Sequence, residues 1–367
     1  MKKNLAIFSP GKNAYSETFI QAHKKLPFNI KFYHDGDLPS KLEGTKNIAQ
    51  FTFWQRVKKR LNKEFTLAEY ALINSLKREN VECVLAEYGP TACAALKVVE
   101  YLKIPMIVHF HGYDASVKTV LSDYKHSYKR VFEYSKSIIV VSNKMKETLI
   151  NAGCQENKLV VSVYGPHPVF FNNKPSYNTE QFLAVGRFVQ KKAPALTLAA
   201  FRKVVEIFPN ATLVLVGDGE LLPACRRMVI ESGLEENVVF KGRQSPGEIR
   251  VLMEGSLAFV QHSVTAPDGD SEGTPVAILE AQAAALPVIS TFHAGIPDVV
   301  INNQTGLLVD EQDVDAMAAN MLKILKDKSL AQSLGEAGRK RIAEKFTLEK
   351  HLNSLSKEIS EAICALQ

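Results

Sequence analysis

What the chain lacks narrows it first. No stretch approaches the roughly 20 consecutive apolar residues of a membrane-spanning helix, so any membrane contact would be peripheral. Cysteine occurs five times, at Cys83, Cys93, Cys154, Cys225 and Cys364. The number is odd and no two form a C-x2-C pair, which argues against a disulfide framework and for a reducing, cytoplasmic compartment. The nine histidines show no H-x3-H spacing, and the D-x-D of Asp268 and Asp270 sits in a polar loop. No metal or other cofactor is therefore expected. The full G-x-G-x2-G fingerprint is missing; only the fragment Gly217 to Glu220 resembles it, which argues against a nicotinamide dehydrogenase. The opening MKKNLAIFSPGKN holds an apolar run too short for a signal-peptide core, and it reads as a first strand. Internal repeats and low-complexity tracts are absent too. The net charge of +6 and pI near 8.9 fit an anionic ligand, a membrane surface or nucleic acid without choosing among them.

At 367 residues the chain is long enough for two domains. Short β-branched runs alternate with longer helical patterns. In the first half they predict strands at Asn4–Ser9, Asn29–His34, Cys83–Glu87, Met106–His111, Ile138–Ser142 and Leu159–Tyr164. Gly165 to Gln181, with three prolines and little periodicity, reads as an interdomain connection. The alternation restarts at Phe182–Gly186, Thr212–Gly217, Val238–Lys241, Ala258–Gln261, Val288–Ser290 and Leu307–Val309, and the tail is helical. Such alternation implies parallel sheets with helices on both faces. The expected fold class is α/β, with two doubly wound, Rossmann-like domains facing across a cleft. The expected divisions are 1–168, 169–345 and a final helical segment, 346–367.

One stretch organises the chemistry: Asp270 to Thr291, which reads loop, helix, strand. Thr274 is placed as N-cap and Pro275 as first helical residue, with Leu286-Pro287 ending a nearly apolar helix. Glu272 stands before this helix and Glu280 inside it. Two carboxylates in so apolar a stretch need partners. Polyol hydroxyls would suit them, and the backbone N–H groups around Gly273 and Thr274 would suit a phosphate. Ligands of open α/β sheets bind past the carboxyl ends of the strands, where further candidates lie. Gly186, Arg187, Lys191 and Lys192 follow one strand, and cations there would neutralise a diphosphate. Gly11 follows the first strand, and His111 with Asp114 another; Glu87-Tyr88-Gly89 ends a third and is placed to meet an acceptor, as are Ser16, Glu17 and Thr18. Each alone also reads as ordinary structure: a tight turn, a helix cap, a solvated basic loop, a structural histidine. His109, deeper in its strand, reads as structural.

Taken together, four stretches carry a resemblance. The E-x7-E spacing of Glu272 and Glu280, AVGRFVQKK at Ala184 to Lys192, HFHGYDAS at His109 to Ser116, and SPGKNAYSETFI at Ser9 to Ile20 occur in the order found in retaining glycosyltransferases of family 4. The opening resembles that of bacterial exopolysaccharide and lipopolysaccharide members. Leu286, where the family often has Gly, and YGPHPVFF at Tyr164 to Phe171, in place of N-G-V-D, depart from the pattern. The resemblance implies the GT-B architecture, with the last helix crossing back to the first domain. It implies a retaining, metal-independent transfer of a hexose from a nucleotide-diphosphate sugar, UDP being the commonest donor base, to a saccharide or lipid-linked saccharide. Nucleic acid is not among the implied partners.

By that resemblance His111, Arg187, Lys192 and Glu272 are catalytic. Gly11, Gly186, Arg187, Lys192, Gly217, Arg243, Glu272, Gly273, Thr274 and Glu280 bind donor, with Glu272 on the sugar and Glu280 on the ribose. Ser16, Glu17, Tyr88, His111 and Asp114 bind acceptor. Other enzymes of the same fold, such as a nucleotide-sugar epimerase or a glycosyl-phosphate phosphorylase, and a non-catalytic nucleotide-binding protein remain as alternatives. One further stretch, Phe51 to Phe65, sets Trp54, Val57, Leu61 and Phe65 near one stripe of a helix and Arg56, Lys58, Lys59, Arg60 and Lys63 largely on the other faces. It reads either as an ordinary domain helix or as one lying on the inner face of the membrane.

Overall fold

A computed structural model of the chain describes residues 2–12, 18–45, 48 and 64–365. Contacts group it into two units, the first running to Ser162 and including the residues from Leu352 onward, the second spanning Val163–His351. The joints expected at 168 and 345 thus compare with 162 and 351. Ser16, Glu17 and most of Phe51 to Phe65 lie outside the described residues.

The first unit holds strands β1 (Asn4–Phe8), β2 (Asn29–His34), β3 (Lys41–Leu42), β4 (Cys83–Glu87), β5 (Met106–His109), β6 (Ser137–Val140) and β7 (Leu159–Val161), in the order β3-β2-β1-β4-β5-β6-β7. Only the β2–β3 pair is antiparallel. β4, β5 and β6 are buried at every position, because helices cover both faces, and so they read as unbroken apolar runs. The strand order reverses between β1 and β4, the place where such sheets open a crevice. β4 pairs with β5 so that Glu87 stands beside His109. The last helix, Leu348–Cys364, starts in the second unit and ends in the first. Its residues Leu355, Ile359 and Ile363, four apart, join the same buried cluster as Leu5, Ile7, Leu85 and Ile139.

The second unit holds β8 (Gln181–Val185), β9 (Thr212–Val216), β10 (Val238–Gly242), β11 (Ala258–Val260), β12 (Val288–Thr291) and β13 (Gly306–Val309), all parallel, in the order β10-β9-β8-β11-β12-β13. Phe182, Phe201, Leu213, Leu257, Met317 and Met321 sit in its core. Here the order reverses between β8 and β11.

The structure differs from the sequence expectation in four places. Several strands stop one to three residues early, leaving His111, Ser142, Gly186 and Gly217 just beyond them. The short edge strand β3 has no sequence periodicity to reveal it. Gly165 to Gln181 is not a free connection. Phe170 is fully buried, Tyr177 donates its hydroxyl to the Ala285 carbonyl at 2.6 Å, and Arg339 donates to the Asn173 carbonyl at 2.5 Å. Gly165 is required there, since a Cβ would fall 1.9 Å from the backbone nitrogen of Leu348. Finally, the helix of the central stretch is Val276–Ala283, with Pro275 rather than Thr274 at its cap. It ends before Leu286-Pro287, where proline disfavours helical backbone at Leu286. Ala285 has already turned the chain, at φ +59°.

Candidate functional site

In the second unit, β8 ends at Val185 and releases Gly186 and Arg187 into a depression also lined by Lys192, Thr197, Leu215 and Gln261. Gly186, Gly217 and Gly242 lace the ends of β8, β9 and β10: Gly186 N–H donates to the Val216 carbonyl at 2.9 Å and Gly217 N–H to the Gly242 carbonyl at 2.8 Å. Gly217, at φ +135°, has no room for a Cβ, which would lie 1.9 Å from the Gly186 carbonyl oxygen. Its contribution to the floor of the site is this close approach. Arg243 beside it pairs with Asp218 at 3.1 Å.

Lys192 closes a short 3-10 turn, Gln190–Lys192. Its Nζ lies 3.1 Å from Glu272 Oε1 and 3.4 Å from Gln261 Oε1. The expected phosphate cation and the expected sugar carboxylate are thus paired with each other. Burial would push the Glu272 carboxyl up, but the ammonium groups of Lys192 and Lys191 hold it below its usual range. Arg187 is exposed and forms no ion pair among the described residues. Lys191, the neighbouring cation, is partnered elsewhere: it is buried, 2.8 Å from Asp270 and donating to the Ser271 carbonyl at 3.1 Å. In the D-x-D, Asp270 pairs with Lys191, and exposed Asp268 accepts the Asp270 N–H at 2.9 Å. Gly273 and Thr274 are buried, and the Gly273 carbonyl accepts the Gly295 N–H at 3.0 Å. The Glu280 carboxyl has no hydrogen-bond or ion-pair partner among the described residues, and burial pushes it up to about 8.

In the first unit the site residues gather past β1, β4 and β5. Ser9 is fully buried and donates its hydroxyl to the Gly11 carbonyl at 2.7 Å, which fixes the turn bearing Gly11. His111 Nε2 lies 2.8 Å from Glu87 Oε2, and His23 Nδ1 lies 2.7 Å from Glu87 Oε1. Glu87 has no exposed surface, so it does not meet an acceptor as the strand-end position implied. Burial would raise its carboxyl, but His23 and then His111 hold it down to about 2. His109 packs against this group, its ring tilted and 4.2 Å from that of His111. Donor atoms of Glu87, His109 and His111 lie within 4.8 Å of one another, but both Glu87 oxygens are already engaged by imidazoles. The His111 ring lies between Phe19, stacked at 4.7 Å, and Tyr88, edge-on at 4.5 Å.

Tyr88 has φ +74° and ψ 143°, backbone that almost only glycine adopts, and such strain concentrates at functional positions. Asp114 is fully buried. One of its oxygens accepts the N–H groups of His111 and Gly112, the other that of Gly89, each at 3.0 Å. It braces the loops of His111 and Tyr88, which leaves it no surface for the expected acceptor contact.

Sequence reading passed over His23, His293 and Glu311. His23 sits in a helix, Thr18–His23, and carries no signal. His293 and Glu311 each stand two residues past a strand, so the rule that singled out His111 would have found them.

The profile described as "Glycosyl transferases group 1" matches residues 169–341, and that of "Glycosyltransferase Family 4" matches residues 13–162. The chain belongs to glycosyltransferase family 4. This family 4 chain is 29% identical over 262 residues to the amylovoran biosynthesis glycosyltransferase AmsK of Erwinia amylovora, across 71% of the chain and 64% of AmsK. It therefore spans less than two thirds of that relative. It is 28% identical over 289 residues to WcaL of Escherichia coli, a glycosyltransferase assigned provisionally to colanic acid biosynthesis, across 77% of the chain and 70% of WcaL. Among solved structures, Anabaena HepE in complex with UDP and glucose matches 98% of the chain with a TM-score of 0.78 at 15% identity, all of HepE being covered. That likeness establishes the fold, two Rossmann-like domains of the GT-B kind.

Proposed function

We propose that the chain is a retaining hexosyltransferase of polysaccharide biosynthesis, taking a UDP-sugar as donor and a hydroxyl of a saccharide or lipid-linked saccharide as acceptor. The observation that carries this is the Lys192–Glu272 ion pair beside exposed Arg187. A diphosphate entering the depression offers Lys192 a more highly charged partner, and Arg187 can bridge two of its oxygens. Glu272, released from Lys192, then accepts hydroxyls of the donor sugar, and the partnerless Glu280 accepts those of the ribose. The two cations stabilise the departing UDP, the charge that develops in the transition state. The departing phosphate oxygen takes the acceptor's proton as the acceptor attacks the same face, and the enzyme's part is positioning. In the first unit, His111 is set by Glu87 to meet the reacting sugar, with Tyr88 beside it for the acceptor. The exopolysaccharide setting is supported by the names of AmsK and WcaL, and the donor base by the UDP bound to HepE.

A thermal-shift screen of UDP, GDP, ADP and TDP tests the reading. UDP at a hundredfold excess over its dissociation constant should stabilise the fold by about 2.7 kcal/mol. A larger shift with GDP would replace the base, and no shift with any of the four would overturn the donor site.

A further inference from the structure

The loop that presents Glu272 is held from behind by groups that the donor reading does not use. His293 is all but fully buried, and its Nε2 lies 3.1 Å from the backbone nitrogen of Glu272. A backbone N–H only donates, so Nε2 is the acceptor and the ring proton is on Nδ1. Nδ1 in turn lies 2.5 Å from Glu311 Oε1, a charge-assisted hydrogen bond that fixes both the tautomer and the plane of the ring. Glu311 also accepts the Thr265 N–H at 2.8 Å and its hydroxyl at 3.3 Å, so one carboxylate steadies both ends of the 265–272 loop. Glu311 is itself placed by its neighbour. Gln312 has φ +67°, and its N–H donates at 2.8 Å to Nε2 of fully buried His262. Lys191 completes the frame through Asp270 and the Ser271 carbonyl.

We infer that His293, oriented by Glu311, is a positioning residue that sets where the Glu272 carboxylate meets the donor sugar. The inference rests on the glycosyltransferase reading of Glu272. Neither imidazole nor carboxylate touches the substrate; they act through the backbone of Glu272. The nucleotide is held elsewhere, by Glu280, Arg187 and Lys192. Loss of the pair should therefore impair sugar transfer and spare nucleotide affinity.

The test compares His293→Ala, His293→Gln and Glu311→Ala with the unaltered full chain, using UDP and a UDP-sugar. His293→Ala should lower kcat of donor hydrolysis by about 100-fold, the scale of a misplacement near 1 Å, with UDP affinity by calorimetry changed less than about threefold. In His293→Gln the side-chain carbonyl can still accept the Glu272 N–H, and kcat should recover by at least about tenfold. The Glu272 amide resonance should move in both alanine variants, and a low-field imidazole N–H resonance should vanish in both. Full kcat in His293→Ala, equal losses in the Ala and Gln variants, or UDP affinity falling in step with kcat would each overturn the inference. If the unaltered chain binds no nucleotide, the donor reading has failed; the Glu272 amide then decides alone, and an amide unmoved by His293→Ala removes the contact.

Discussion

The two units hold their site side chains by opposite means. In the first, His111 is tied by its own ring to Glu87, a carboxylate with no exposed surface that also takes His23, and it is walled by Phe19 and Tyr88. In the second, Glu272 is tied firmly only by its backbone, through His293; its carboxylate meets one flexible lysine at 3.1 Å, beside an exposed arginine. A carboxylate shared between two buried imidazoles cannot be lost without stranding them, so the first arrangement is rigid. The Lys192–Glu272 pair borders an open depression, where on the proposed reading a diphosphate competes for it directly. On that reading the first unit offers a preformed wall and the second a pair that the donor opens. The proposed roles account for the difference: preorganisation suits a group that must not move, whereas a diphosphate must displace something on arrival.

The sharpest way to break this contrast is Glu87→Ala. Removing one partner of a buried charged pair costs about 3–5 kcal/mol, so denaturant unfolding should show a loss of that size relative to the unaltered chain, and the difference should persist when UDP is added to both. A loss under about 1 kcal/mol would mean that the first corner is no more rigid than the second. Next come Arg187→Ala and Lys192→Ala, each expected to lower kcat/KM by roughly 100-fold or more, since a charged contact to the leaving group is worth about 2–4 kcal/mol. Near-normal kinetics in either variant would remove that cation from the phosphate site.

The carboxylates separate at a smaller scale. Glu280→Gln should mainly weaken UDP binding, and Glu272→Gln should spare UDP and impair transfer. The free Glu280 carboxyl is raised to about 8 by burial. Its folded-state pKa lies above the unfolded one, so its contribution to apo stability is present below the unfolded value of 4.5 and lost as pH rises through 8. Ribose hydroxyls favour the ionised form, so UDP binding should release a proton near neutrality and tighten as pH rises toward 8. Calorimetry in two buffers of different ionisation enthalpy reads this, and an equal proton release in Glu280→Gln would exclude the residue. The smallest effect concerns Lys58, Lys59 and Arg60. Changing all three to Glu should reduce co-sedimentation with anionic vesicles, at about 1 kcal/mol per residue, and leave donor hydrolysis intact. Failure of the unaltered chain to bind such vesicles at low salt would remove the membrane role.

Much of this architecture can be read directly from the chain. Buried parallel strands are near-continuous apolar runs, and β2 and β4 fall on the residues their pattern predicts. Candidate positions were legible where a glycine, a charge or a histidine follows such a run, as at Gly186, Arg187 and His111, each of which stands just past its strand. Partnership was not. Nothing in QKK says that Lys191 is buried against Asp270 and Ser271 while Lys192 faces Glu272. Asp114 and Glu87 read as cleft carboxylates because sequence reports charge, not burial. No local pattern joins His293 to Glu272, 21 residues away in sequence, because their contact depends on the loop after β11 returning to the end of β12.

The central claim is a transfer with retained configuration, driven by protein cations. It is tested most directly by proton NMR of donor hydrolysis in EDTA, started with the UDP-sugar and followed before the released sugar mutarotates. The account predicts that the sugar first appears in the anomeric configuration it had in the donor, at a rate that EDTA does not change. First appearance of the opposite anomer, or hydrolysis that stops in EDTA and returns with Mg2+, would contradict it.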